Sequence, residues 1–348
     1  MPERIATARR VTRSAFVALA VVSLLGSSAP PVAASDASNA FIAIRATTVW
    51  PVAGGTRDAI TSTFGPRIKV SSGGYDWHRG IDLHAVEGTP IVAPTDGTLF
   101  GIRDYPDGGL TVILRHRFAS PTLFKGKLLT DYYTFYMHLS AIAPDLVAAA
   151  ASGATPDVPR GTTIGAAGHT GSAVDDHLHL ELRLGTPYSL EWQLANPTSR
   201  YGANAFGFDP HVHPLLLFAP SGAHGMSLSL ARAVSKTADG RVTFSANDDE
   251  PLLDRLTVEI RRRSDGRLMA SHLLDLDERL GFDPTSTAAL DTPDTTRPYL
   301  APLPFGTRSP YQTELVIPRS WAASWTGTKF RTTVVATDIW DRTTSVAW

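Results

Sequence analysis

The stretch DDHLHLEL, residues 175–182, constrains the fold more than any other part of the sequence. From His177 to Leu184 the alternation is unbroken, with His177, His179, Glu181 and Arg183 on one side and Leu178, Leu180, Leu182 and Leu184 on the other. Successive side chains of a strand point to opposite faces, so the leucines can bury a core while both imidazoles share one surface. Imidazoles held this way on a rigid strand can grip one cation, or divide the work of ligand and base.

Nine of the eleven histidines fall between residues 78 and 213. In DWHRGIDLHA, His78 and Asp82 stand four residues apart, an offset that returns to one face in a strand or a helix. Gly80 between them allows a close backbone approach. His78 and Asp82 with one imidazole of the H-x-H pair would offer two nitrogens and one oxygen. Zinc held by three such ligands keeps a fourth position for water, whereas structural zinc favours four ligands with cysteines. This chain has no cysteine, which also rules out disulfides and a bacterial lipoprotein anchor. His138 closes the aromatic stretch YTFYMHLS.

The N-terminal residues carry Arg4, Arg9, Arg10 and Arg13 before an apolar run from Ala15 to Leu25 and the small-residue stretch PPVAAS. This is the layout of a cleavable secretory signal, expected over 1–34 with Val32 and Ala34 at the cleavage positions. The run is too short to span a bilayer comfortably, and no later apolar segment approaches that length. Removing four Arg and Glu3 leaves 28 basic and 32 acidic residues, a net charge of −4. Neither that charge nor the −1 of the whole chain calls for nucleic acid or an anionic membrane.

A short linker is expected over 35–47, then a β-dominated domain over 48–220 with one helix at 143–151, capped by Asp145 and ending near Gly153. Ser221 to Met226 form a small-residue junction. Beyond it, residues 226–348 hold about seven alternating segments, which predicts an immunoglobulin-like β-sandwich. The long loop from Gly281 to Pro310 is rich in Pro, Thr and Asp. The fold class expected is therefore mainly β, an antiparallel-sheet domain followed by a sandwich.

Taken in order, ITSTFGPR (60–67), HRGIDLHAVEGTPIVAPTDGTL (78–99), YMHLS (136–140), GTTIGAAGHTG (161–171) and HLHLEL (177–182) resemble the lysostaphin-type, or LytM-type, zinc endopeptidases of bacterial peptidoglycan. The resemblance ends near FDPHVHPLLLF (208–218) and covers about half the chain. It implies one zinc per chain held by His78, Asp82 and His179. It further implies that His138 and His177 are free for acid–base work, with the division between them open. The substrate implied is a peptide of peptidoglycan, cut by a metal-activated water outside the cytoplasmic membrane, in the periplasm or medium. Glu181 shares the histidine face, either orienting a ligand or simply solvated. Tyr136 either lines the site or packs. His84 and His116 are not required for chemistry, His169 occupies a turn, and His211 and His213 suggest a closing strand. The segments 117–131 and 144–159 are longer than the family pattern, which leaves cleavage-site preference open. The rival readings are a non-enzymatic wall binder that activates other hydrolases, and a secreted peptidase acting on proteins. The C-terminal sandwich could bind wall polymer, pack on the groove or dock a partner protein.

Overall fold

The alternating strand becomes the middle of a large antiparallel sheet. The computed structural model describes residues 36–56, 60–68, 75–124, 127–185, 211–219, 226–246, 253–276, 294–302 and 313–348. The signal expected over 1–34 and most of the 281–310 loop lie outside them.

The first half contains β1 (Ile60–Ser62), β2 (Gly65–Ile68), β3 (Tyr75–His78), β4 (Gly80–His84), β5 (Pro90–Val92), β6 (Gly97–Tyr105), β7 (Gly109–Phe124), β8 (Lys127–Leu139), β9 (Ala141–Ile142), β10 (Asp157–Val158), β11 (Thr163–Ala166), β12 (His177–Gly185) and β13 (His211–Val212). The main sheet runs β1-β4-β12-β8-β7-β6-β10, with β13 also paired to β12. The strands β5, β11 and β9 form a smaller sheet, and β2 pairs with β3.

Register explains why β12 sits where it does. Leu178 lies opposite Leu83, and Leu180 lies between Ile81 of β4 and Tyr136 of β8. All five are fully buried. Each such leucine contributes roughly 1.5–3 kcal/mol of burial, enough to hold the polar face in register above it. Tyr136 therefore packs in the core beneath the sheet and does not line the site, because its strand position places it with the leucines.

Three other expectations are corrected. Residues Asp36–Arg45, expected within a linker, form a helix α1 whose Phe41 is buried against Phe118 and Tyr132. The expected helix is Pro144–Ser152 (α2), and Asp145 lies in its first turn; Ala143 holds the cap position without a side-chain bond. Pro144 at the first position already suits a helix start, and Gly153 ends it at φ 74°. His78 and Asp82 do not share one strand, since Arg79 separates β3 from β4. The long 117–131 segment continues the β7–β8 hairpin as an arm, with Leu123 and Leu128 exposed near its end.

The second half holds β14 (Met226–Arg232), β15 (Gly240–Ala246), β16 (Leu253–Arg262), β17 (Leu268–Asp275), β18 (Tyr299–Pro302), β19 (Thr313–Ile317), β20 (Phe330–Asp338) and β21 (Thr343–Ala347). They form two four-stranded antiparallel sheets, β14-β15-β19-β18 and β17-β16-β20-β21. Alternate residues such as Val242, Phe244, Leu256, Val258 and Val334 are buried, the period expected of strands with one covered face. Among the described residues, no helix is long and apolar enough to cross a membrane.

Candidate metal centre and catalytic groove

A groove of about 760 Å³ opens over the polar face of β4 and β12. At its floor, β12 faces β4 with His179 opposite Asp82 and Glu181 opposite Gly80. The choice of glycine at 80 follows from the partner strand. A Cβ there would stand 2.8 Å from His179 Nε2 and 2.3 Å from the carbonyl oxygen of Leu180. The close approach anticipated at Gly80 is thus to the neighbouring strand and its imidazole.

Three donor atoms converge. Asp82 Oδ1 lies 2.8 Å from His179 Nδ1 and 3.1 Å from His78 Nε2, and the two nitrogens are 3.0 Å apart. Three ligands about 2.0–2.1 Å from one zinc ion, arranged tetrahedrally, would stand near 3.3 Å from one another, so small outward shifts would fit the ion. The residues present therefore match two nitrogens and one oxygen around a single cation.

A surrounding layer of bonds fixes each donor. His78 Nδ1 donates to the carbonyl of Thr63 at 2.8 Å, which turns Nε2 inward. Arg67 donates to the other oxygen of Asp82, to Ser62 Oγ and to Asp76, at 2.9 Å each. His179 donates through Nε2 to Glu181 Oε1 at 3.2 Å, and Arg183 donates through Nε to Glu181 Oε2 at 2.7 Å. Glu181 is buried, so of its two expected roles the orienting contact is the one seen. His211 Nε2 stands 3.4 Å from the same carboxylate, and His213 caps the 3₁₀ turn Pro214–Leu217 instead of the site.

Electrostatics divide the two imidazoles of the triad. Burial, reinforced by the Arg67 charge, lowers the His78 pKa to about 4. Burial also works against a charged His179, yet its bonds to Asp82 and Glu181 outweigh this and raise its pKa to about 9. A cation held by His179 Nδ1 would compete with a proton on that ring. Metal uptake must displace that proton, so affinity weakens in acid.

His138 reaches the groove through a break in the strand pattern. Alternation along β8 places Met137 opposite His179 on the polar face and would turn residue 138 toward the core. A left-handed φ of 61° reverses this, so His138 faces the groove and Leu139 returns to the core. Such a backbone costs a non-glycine residue roughly 1–3 kcal/mol and persists where its surroundings hold it. Here His138 N donates to Gly108 O, and Nδ1 donates to Thr170 O, both at 2.8 Å. Thr170 is itself tied by its hydroxyl to Leu139 O and Leu110 N. His177 Nδ1 likewise donates to Asp175 O at 2.8 Å. In both rings the neutral tautomer leaves Nε2 as an acceptor. The two rings stand 4.7 Å apart, and burial with the charge of His179 lowers the His138 pKa to about 4.

The remaining described histidines stand apart from the triad and from the His138–His177 pair. His84 is exposed along the groove. His116 is buried elsewhere, donating to Asp96 O and accepting from Thr134 Oγ1, and stacked on Tyr132. His169 pairs with Asp176 at 2.7 Å on the surface. The sequence alone assigns no role to Ser62, Arg67, Thr170 and Arg183. The first three lie in the stretches ITSTFGPR and GTTIGAAGHTG and Arg183 on the histidine face of β12, but none of these patterns names a partner.

The family model for Peptidase family M23 matches residues 76–190, a span that contains His78, Asp82, His138, His177 and His179. Over that span, about a third of its length, the chain is similar to M23 peptidases. An uncharacterized metalloprotease of Haemophilus influenzae is 34% identical over 127 residues, covering 36% of this chain and 22% of its own length. The DD-carboxypeptidase/endopeptidase Mpg of Neisseria meningitidis is 33% identical over 125 residues, covering 36% and 24%. The chain thus spans under a quarter of the length of these relatives. The crystal structure of a zinc containing peptidase from Vibrio cholerae shares 28% identity over 39% of this chain and 36% of its own, with a TM-score of 0.29. Arg67 and His211, which buttress the triad, lie outside the matched span.

Proposed function

We propose that the chain is an exported zinc metalloendopeptidase that hydrolyses peptide crosslinks of bacterial peptidoglycan. The observation that carries this reading is the convergence of His78 Nε2, Asp82 Oδ1 and His179 Nδ1 beside two further imidazoles in an open groove. Similarity to a DD-carboxypeptidase/endopeptidase supports the substrate class.

In this reading His78, Asp82 and His179 would hold one zinc ion. Zinc bound by such ligands lowers the pKa of its water towards about 7 and polarises a carbonyl. His138 and His177, each with Nε2 available, take the proton from the attacking water and return it to the leaving amine. The carbonyls of Thr170 and Asp175 hold their tautomers. Glu181 and Arg67 keep the ligand ring and carboxylate oriented. Export through residues 1–34, and a division into a peptidase part over 48–220 and a sandwich accessory part over 226–348, belong to the same proposal.

The test incubates the mature chain, residues 35–348, with purified sacculi and identifies released fragments by mass spectrometry. New amino termini within peptide bridges, abolished by a zinc chelator and restored by zinc, are expected. Absence of cleavage by folded, zinc-loaded protein would overturn the reading in favour of a non-enzymatic binder.

A further inference from the structure

A cavity of about 560 Å³ lies at one end of the two C-terminal sheets, between the β14–β15 loop, the end of β16 and the chain around β20 and β21. Its walls include Trp325, Phe330 and Trp348, all half-buried, so each ring is anchored on the core yet keeps part of its surface outward. Its rim carries Lys236 and Arg263, and among the described residues no acidic one lines it. Hydroxyls, Thr328 among them, complete the lining.

The cavity is fixed by local bonds. Arg263 N donates to Lys329 O, and its Nε donates to Phe330 O at 2.9 Å, a bond that uses neither of its two terminal nitrogens. Trp348 and Thr332 exchange two backbone bonds of 3.0 Å, which pins the Trp348 wall to β20. The loop before β15 closes on itself, with Ser235 Oγ accepting from the backbone of Thr237 and Ala238. Flat aromatic faces, hydroxyls and two cations with no carboxylate beside them in the described lining suit one kind of guest: a ring with apolar C–H faces, several hydroxyls and a carboxylate.

We infer that this cavity binds an acidic saccharide, the carboxylate meeting Arg263 and Lys236 and the pyranose ring stacking on the indoles. This rests on the wall-hydrolase reading and gives the C-terminal part a role in it, holding peptide-free stretches of glycan, whose muramic acid carboxylate is not tied up in an amide. Carboxylated sugars of the wall and uronic acids share this chemistry.

The test titrates the mature chain by saturation-transfer NMR with the N-acetylglucosaminyl–N-acetylmuramic acid disaccharide. An oligogalacturonate and neutral chitotetraose serve as the other two arms. Saturable binding of an acidic sugar, weakened about tenfold or more in W325A, R263E and K236E, is expected. The disaccharide binding better than the uronate identifies the wall as its source. Should W325A fail to fold, the two charge reversals at exposed positions decide. Unchanged binding in R263E and K236E, equal binding of chitotetraose, or no saturable binding would overturn the inference. The sacculus assay run in parallel separates the two readings. Cleavage without saccharide binding overturns only the cavity's role, and saccharide binding without cleavage overturns only the peptidase.

Discussion

Among the described residues, two groupings of imidazole and carboxylate lie within the span matched by the M23 family model, and on donor geometry alone they look alike. His78, Asp82 and His179 form one; Glu87, His169 and Asp176 form the other, and each offers three ligand atoms within 4.8 Å of one another. Their settings differ. In the first, the side chains are 2%, 13% and 10% exposed, and Thr63, Arg67 and Glu181 hold every donor from behind. In the second, the His169 side chain is 56% exposed and its bond to Asp176 is a surface pair, of a kind worth about 0–1 kcal/mol. A metal centre is recognised by what prevents its ligands from turning away.

The comparison breaks most readily at the ligands. His179→Ala, His78→Ala or Asp82→Ala should reduce zinc from about one per chain towards none and abolish cleavage, read by elemental analysis and sacculus digestion. His138→Ala or His177→Ala should cost about 10²- to 10⁴-fold in rate while zinc content stays unchanged. Loss of zinc in either variant would move that residue into the ligand set. Glu181→Gln should weaken zinc affinity about 10- to 100-fold, measured by chelator competition, because His179 loses its charged orienting partner.

His116 sharpens the contrast from outside both groupings, as a buried imidazole satisfied while neutral. Its folded pKa, lowered by burial to about 4, lies below the unfolded 6.5. Its contribution is therefore complete above about pH 6.5 and lost as pH falls towards 4, on the order of 3 kcal/mol. Denaturant titrations of wild type and His116→Gln should show a smaller acid loss in the variant. The least change is expected at the second grouping. His169→Ala should leave zinc content and rate within about twofold and stability within about 0.5 kcal/mol.

Much of the site could be read in the sequence because its ligands follow the strand period. His177, His179 and Glu181 share a face for the same reason that Leu178, Leu180 and Leu182 share the core. Where the period breaks, reading failed or needed the family resemblance. His138 faces the groove only through its left-handed backbone, and Tyr136, two residues earlier, consequently lies in the core. Arg67 and Thr170 act through bonds to partners 15 and 31 or 32 residues away, which no local pattern encodes. Asp36–Arg45 reads as linker in the sequence because the partners of its buried Phe41 lie far along the chain, in β7 and β8.

The most direct measurement is anomalous diffraction at the zinc edge from crystals of the zinc-loaded mature chain. One peak bounded by His78 Nε2, Asp82 Oδ1 and His179 Nδ1, with His138 and His177 outside bonding distance, is the expected result. A peak between Glu87, His169 and Asp176 with none at the buried triad would contradict the account.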